Sequence, residues 1–383
     1  MSFHDANKVF NIVVLPGDGV GPEVTRYAMD LLETLSSLSN FSFRFEQINC
    51  GGKYYLEHGR EWDEGSFEKC RAADAILLGA VGYTHNGKSV YTKIGQPYAE
   101  PQLAGYAPLI GNRQNLNLFA NVRPVKLYPG LKIKTVNRLL NIWQSDEVNY
   151  VILKENTEDA YTGQSMRINN CMLTPIVITK NKTERFIRFA FNYLLKENRE
   201  YICCVDKSNI IPSHRFFREI FTYLAKQEFP NVPIQYFYAD TFTYEQNCNP
   251  SQFDVVVAPN LIGDIISENA VFAQGGLGFA PSANIGERHA MFEPIHGSAL
   301  DIAGKNKVNP IGMLLSVALM LEWLAGQHKL PELREFANIL QNSVAKVTMD
   351  GSLTEDATIT EFAVSSSELY FNIKEEFIKF LKT

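Results

Sequence analysis

Short apolar runs, each closed by glycine, proline or polar turns, alternate along the chain with longer stretches of helical periodicity. Strands are predicted at 11–15, 41–48, 75–78, 150–153, 201–205, 234–238 and 254–258, with 171–179 extended. Helices are predicted at 23–38, 65–72, 183–197, 212–226, from 262 onward, and at 311–325, 331–347 and 368–381. Strand followed by helix, many times over, is the order of an α/β fold. Two polar, glycine-containing segments, 80–105 and 291–310, read as long loops, which in compact domains are usually functional. No repeat or linker breaks the chain, so a second lobe has to be an insertion within the first.

Composition narrows the class. Lys and Arg number 36 against 42 Asp and Glu, a net charge of −6, which speaks against nucleic acid or an acidic membrane surface as partner. The six cysteines show no C-x-x-C spacing and read as reduced thiols in a cytoplasmic protein. The first ten residues lack the basic and long apolar regions of a secretory signal. The apolar run 311–324 contains Glu322 and is shorter than a membrane span, so a core helix is expected.

Candidate chemistry gathers in polar residues at element ends. The stretch 253–286 predicts a buried strand, a turn at Pro259 and Asn260, then an apolar helix with Asp264 and Glu268 one turn apart on one face. Acids so spaced repel by a few tenths of a kcal/mol unless a cation sits between them. The competing reading is a solvated helix edge. The run Gly275, Gly276 and Gly278 is expected to bring the backbone back toward those carboxylates. Arg113 and Arg123 flank a mixed segment, and Pro124 is expected to end that element as Arg123 emerges, presenting a planar fork suited to a carboxylate. Lys207 and Asn209 follow the 201–205 strand, at the strand end where α/β folds place their chemistry. The early turn Pro16-Gly-Asp-Gly-Val-Gly-Pro22 is spaced G-x-G-x-G-P rather than G-x-G-x-x-G, so a Rossmann dinucleotide site is rejected in favour of a tight turn at a cleft mouth.

In this order the turn 15–23, the pair Arg113 and Arg123-Pro124, Lys207 with Asn209, Asp240, Gly263-Asp264 and the run His296-Gly-Ser-Ala-Leu-Asp301-Ile-Ala-Gly304 resemble the metal-dependent β-decarboxylating dehydrogenases of the isocitrate/isopropylmalate type. The resemblance covers nearly the whole chain. It implies a two-lobed α/β/α fold, not a Rossmann fold, with a mixed sheet crossing both lobes. Residues 1–119 and 275–383 would form the large lobe with the NAD loop. Residues 120–274 would form an inserted lobe. It also implies oxidation of the C2 hydroxyl of a 3-substituted malate by NAD, with loss of the C3 carboxylate as carbon dioxide. Substrate contacts would come from Leu109, Ile110, Arg113, Arg123 and Lys154. Lys207 would be the base and Tyr161 the acid. Asp240, Asp264 and Glu268 would bind Mg²⁺ or Mn²⁺, consistent with an all-oxygen ligand set. Cofactor contacts would come from Asn209, His296, Gly297, Ser298, Ala299, Asp301, Ile302 and Asn309, where a carboxylate at Asp301 suits the ribose hydroxyls of NAD over the phosphate of NADP. Family members are homodimers in which the Lys207 and Asp240 positions reach the partner's site.

Two positions depart from the family pattern: Lys154 stands where most relatives carry arginine, and Glu268 where aspartate is usual. The apolar Ala107-Pro-Leu-Ile110 segment suits a branched alkyl group and points to 3-isopropylmalate. Against that, residues 154–158 are more similar to the isocitrate, homoisocitrate and tartrate/D-malate enzymes. A reading from another class is a catalytically silent ligand-binding subunit.

Overall fold

The structure, a computed structural model, describes residues 8–93, 100–136 and 138–382. The start of the expected leaderless N-terminus and residues 94–99 of the expected long loop lie outside them. Ten strands form one sheet: β1 (Lys8–Gly17), β2 (Phe41–Gln47), β3 (Ala75–Ala80), β4 (Ala120–Lys126), β5 (Asn149–Glu155), β6 (Ile202–Asp206), β7 (Ile234–Tyr238), β8 (Val255–Ala258), β9 (Pro281–Ile285) and β10 (Ala290–Pro294). Their order is β7-β6-β8-β5-β4-β9-β10-β3-β1-β2, so the strands from residues 120–258 all lie at one end.

Both ends of the sheet pair in parallel, as in β1 with β2 and β3, and β6 with β7 and β8. The middle is antiparallel, through β5 with β4, β4 with β9, and β9 with β10. The parallel strands β3, β6 and β8 are buried along their whole length, which is why they read as unbroken apolar runs: helices cover both faces. The central strands alternate instead. Asn121, Arg123, Ser282 and Asn284 occupy one face of β4 and β9, and Val122, Pro124, Ala283 and Ile285 the other.

Pro124 does not end its element. It lies inside β4, opposite Val151, and is tolerated because the pairing of β4 with β9 covers only 120–122, so beyond Val122 that side of the strand has no ladder bond to lose. The glycine run also differs from expectation. Gly275 packs on Leu131 and Leu127, and Gly278 on Asn309 and Asp356, away from the acidic helix. The hairpin of β9 and β10 was not predicted, nor were the helices Gly52–His58 and Ala239–Cys248, the second of which carries Asp240 in its first turn.

The apolar helix Ile311–His328 is long and apolar enough by length and composition to cross a membrane, longer than the sequence suggested. Twelve of its side positions are buried against the sheet and neighbouring helices, so here it is a core element.

Candidate active site

The N-terminal turn behaves as a scaffold. Asp18 is buried and accepts hydrogen bonds from the backbone N–H groups of Gly52 (2.8 Å), Lys53 (2.9 Å) and Gly82 (2.9 Å), so its carboxylate ties three segments together at the cleft mouth. Gly19 has φ 59° and lies so close to the Ser298 carbonyl that a Cβ would fall 1.8 Å from that oxygen. Val20 N–H then donates to the same carbonyl at 2.9 Å, clamping the turn onto the 296–309 loop.

Across the antiparallel waist of the sheet, inward-facing polar residues build a connected network. Arg123 donates from Nε to Asn121 (2.6 Å), from Nη1 to Ser267 (2.5 Å) and from Nη2 to Asp264 (3.0 Å). Its Nη1 also lies 3.9 Å from Glu268. Arg113 comes from a short helix, Asn112–Asn115, after a π-helical turn at Ala107–Gly111, and its Nη2 pairs with Glu293 at 2.7 Å. Its Nε is buried with no hydrogen-bond partner among the described residues. Glu293 also accepts from Asn284 (2.8 Å), and Asn284 accepts from Asn121 and Asn156 at 2.9 Å each.

Lys154 belongs to β5, which runs past the predicted end at residue 153, and its side chain is fully buried. Its ammonium donates to Asn260 (2.6 Å) and Asn156 (3.0 Å), lies 3.2 Å from Asp264, and sits 5.9 Å from the Tyr161 ring centre. Burial pushes its amine down to about 8, with Arg113 and Arg123 adding to the shift and Asp264 opposing it. Burial alone would raise Asp264, yet Lys154, Arg123 and Arg113 together hold its carboxyl well below the usual carboxylate range. Burial, and then the charge of Asp264, raises the Tyr161 hydroxyl above its ordinary value, so it stays protonated. Burial likewise raises Glu268, whose side chain is half exposed.

The sequence-predicted residues thus fall into three groups. Arg113, Arg123, Lys154, Tyr161, Asp264 and Glu268 come together. Leu109 packs on a core cluster that includes Cys70 and Leu116, and Ile110 is half buried in the same turn. Lys207 and Asp240 pair with each other at 2.6 Å on an exposed face, and that bond lowers the Asp240 carboxyl; no hydrogen bond or ion pair among the described residues joins them to Asp264. Accordingly, no group of three acids, cysteines or histidines suited to a metal is assembled within one chain among those residues.

The third group is the expected cofactor set, the 296–309 loop together with Asn209, which follows β6. Asn209, Gly297 and Asp301 are exposed, while Ser298, Ala299 and Ile302 are partly covered. His296 Nδ1–H donates to the Gly297 carbonyl (2.9 Å), its Nε2 is buried without a partner among the described residues, and burial lowers its basicity. Asn309 also has a part in the fold: its amide oxygen accepts from Ile311 N–H (3.0 Å) at the start of the Ile311–His328 helix and its nitrogen donates to Asp356 (3.1 Å).

Sequence reasoning missed Glu293, Asn121, Asn156, Asn260, Ser267 and Asn284. The available signal was alternation in β9, where Ser282 and Asn284 recur at every second position between apolar neighbours; Glu293 stands alone in the otherwise apolar β10.

The sequence model of the isocitrate/isopropylmalate dehydrogenase family matches residues 11–373. The chain is similar to 3-isopropylmalate dehydrogenase of Heyndrickxia coagulans, with 36% identity over 364 residues and 93% of each chain covered. It is similar to that of Staphylococcus aureus strain bovine RF122 / ET3-1, with 35% identity over 366 residues covering 94% of this chain and 99% of the relative. Among solved structures, an isocitrate dehydrogenase from Methylococcus capsulatus superposes with a TM-score of 0.81 at 28% identity, covering 96% of this chain and 99% of the other. A β-decarboxylating dehydrogenase from Thermococcus kodakarensis superposes at 0.73 with 30% identity and 98% coverage of both. With the family match spanning nearly every described element, this chain belongs to the isocitrate/isopropylmalate dehydrogenase family of decarboxylating dehydrogenases.

Proposed function

We propose that the enzyme oxidises and decarboxylates a 3-substituted malate, with 3-isopropylmalate as substrate, NAD as hydride acceptor and Mg²⁺ or Mn²⁺ as the bound ion. The observation that carries this reading is the buried Arg113, whose Nε lacks a partner among the described residues, beside Arg123, Lys154 and an ionised Asp264. A carboxylate-bearing substrate would complete Arg113's donors, which is what a buried guanidinium needs. The apolar Leu109–Ile110 turn beside it supports an alkyl substituent, as do the names of the relatives.

The residues fit the ion and the cofactor. Asp264 and Glu268 offer oxygen donors on one helical face, and the exposure of Asp240 supports its use by a second subunit. His296, with an unpartnered Nε2, and the exposed Asp301 fit an adenosine moiety over the glycine-containing loop. When bound, the ion supplies Lewis-acid polarisation at the C2 oxygen, and NAD accepts the hydride. The chain's own groups do the rest. Arg113 and Arg123 hold carboxylates, Lys207 takes the hydroxyl proton, and Tyr161, kept protonated by burial and Asp264, returns a proton to C3. Lys207 and Asp240 act in the partner's site in this reading, which makes the working unit a homodimer. The two ends of the sheet are then its lobes, 1–119 with 275–383 and 120–274, and the protein is cytoplasmic.

The superposition on an isocitrate dehydrogenase keeps a tricarboxylate as the second reading. Purified protein assayed for NADH formation with 3-isopropylmalate, D-malate, tartrate, isocitrate and homoisocitrate, each with Mg²⁺ or Mn²⁺, separates them. Turnover of 3-isopropylmalate well above the others is expected. Turnover of only a tricarboxylate overturns the substrate assignment.

A further inference from the structure

Beyond the residues assigned above, Asp159 and His214 form a pair with no solvent exposure, the Oδ2 and Nε2 atoms 3.8 Å apart. Asp159 has φ 69°, a left-handed conformation that aspartate adopts at a cost and that glycine takes freely. Its carboxylate accepts from Ala160 N–H (2.8 Å) and from Leu261 N–H (2.9 Å). Ala160 precedes Tyr161, and Leu261 lies in the first turn of the Asn260–Ala270 helix that carries Asp264. On the other side, His214 Nδ1 accepts from the backbone N–H of Lys207 at 3.3 Å. That bond leaves the ring proton on Nε2, directed toward Asp159, with no other partner among the described residues. At 3.8 Å the Asp159 contact is electrostatic attraction rather than a hydrogen bond.

A buried carboxylate and imidazole in contact carry a desolvation cost that an apolar pair would not. What the pair gains is position. Asp159 holds the Tyr161 turn to the Asp264 helix, and His214 holds the Lys207 turn. We infer that Asp159 and His214 are positioning residues of the reaction, a buried strut that fixes the turns of Tyr161 and Lys207 and the Asp264 helix relative to one another. The inference rests on the roles proposed above for those three residues. Because Lys207 serves the partner's site in that reading, each strut joins the acid and metal ligand of one site to the base of the other.

The test uses the full-length enzyme and the substrate identified by the panel. His214→Ala is expected to lower kcat about ten- to a hundredfold, the size of effect that small misplacements produce. KM should stay within about twofold, because substrate contacts are untouched. His214→Gln, which restores an acceptor for Lys207 N–H, is expected to recover most of the loss. Asp159→Gly keeps the left-handed backbone without the carboxylate, and is expected to lower kcat while the protein stays folded by circular dichroism. Hybrid dimers locate the effect. Lys207→Ala chains mixed with Tyr161→Phe chains should form one intact site. Adding His214→Ala to the Tyr161→Phe chain, which donates Lys207 to that site, should slow it more than adding it to the other chain. An unchanged kcat, a loss that glutamine does not relieve, or equal effects in the two chains of an active hybrid overturns the strut. An inactive mixture of the unmodified pair instead refutes the shared-site reading, and the single-variant kcat and KM values then decide the strut alone.

Discussion

Tyr161 carries a hydroxyl whose proton is held by burial and by the neighbouring charge of Asp264, both of which act to raise its pKa above the ordinary value. The sign matters for its proposed role. A raised phenol remains a proton donor throughout the physiological range, and any alkaline limb it contributes to the kcat profile lies above pH 10. Tyr161→Phe is therefore expected to lower kcat by about two to three orders of magnitude with little change in KM. A retained kcat would remove Tyr161 from the chemistry. Lys154 shows the limit of reading a single residue from its neighbours in sequence. The apolar run ends at residue 153, yet the strand continues through Lys154 and turns it inward, where Asn156, Asn260 and Asp264 surround it.

At the scale of elements, the Asn260–Ala270 helix approaches β5 most tightly at Gly263. A Cβ on Gly263 would fall 2.3 Å from Lys154 Cβ, so the helix can reach the strand only without a side chain there. Gly263→Ala has to push the helix outward or displace Lys154. It is expected to cost about 1–3 kcal/mol in denaturant unfolding. It should also weaken Mn²⁺ binding measured directly by electron paramagnetic resonance, since Asp264 moves with the helix. Normal stability together with normal Mn²⁺ affinity would contradict the packing argument. The helix itself was legible because its apolar periodicity is strong, and the same holds for the buried parallel strands β3, β6 and β8. The Ala239–Cys248 helix was not, because its Thr, Tyr and Phe residues favour strands locally and its apolar face is weak; packing against the Asn260–Ala270 helix decides it. The β9 and β10 hairpin was hidden by the polar residues that build the site, since Ser282, Asn284 and Glu293 face inward where a strand pattern calls for apolar side chains. Pro124 misled for a related reason. Its meaning depends on which neighbour strand stops short, and only the three-dimensional pairing supplies that.

At the scale of the whole molecule, the chain gathers the arginines, the proposed acid and two proposed metal ligands on one side, while the proposed base Lys207 and the third proposed ligand Asp240 stay outside. Lys207 and Asp240 sit among large apolar side chains that the isolated chain leaves in water: Ile210 is 70% exposed in the Lys207 turn, Tyr244 67% exposed on the Asp240 helix and Ile265 54% exposed beside Asp264. Exposure of this kind on three elements that also carry site residues is the pattern of a surface covered by a partner. A second copy would cover it and bring Lys207 and Asp240 to the Asp264 helix at once, so assembly and activity should be lost together. Ile265→Glu places a charge in that face without touching the core of the chain. It is expected to yield a folded monomer by sedimentation, with native circular dichroism, no turnover, and Mn²⁺ affinity reduced because Asp240 no longer contributes. Wild-type enzyme diluted through a dimer-to-monomer transition followed by sedimentation should lose specific activity in step with the dimer fraction. A monomer that keeps full turnover, in either experiment, would mean that one chain assembles its own site and that Lys207 is not the base.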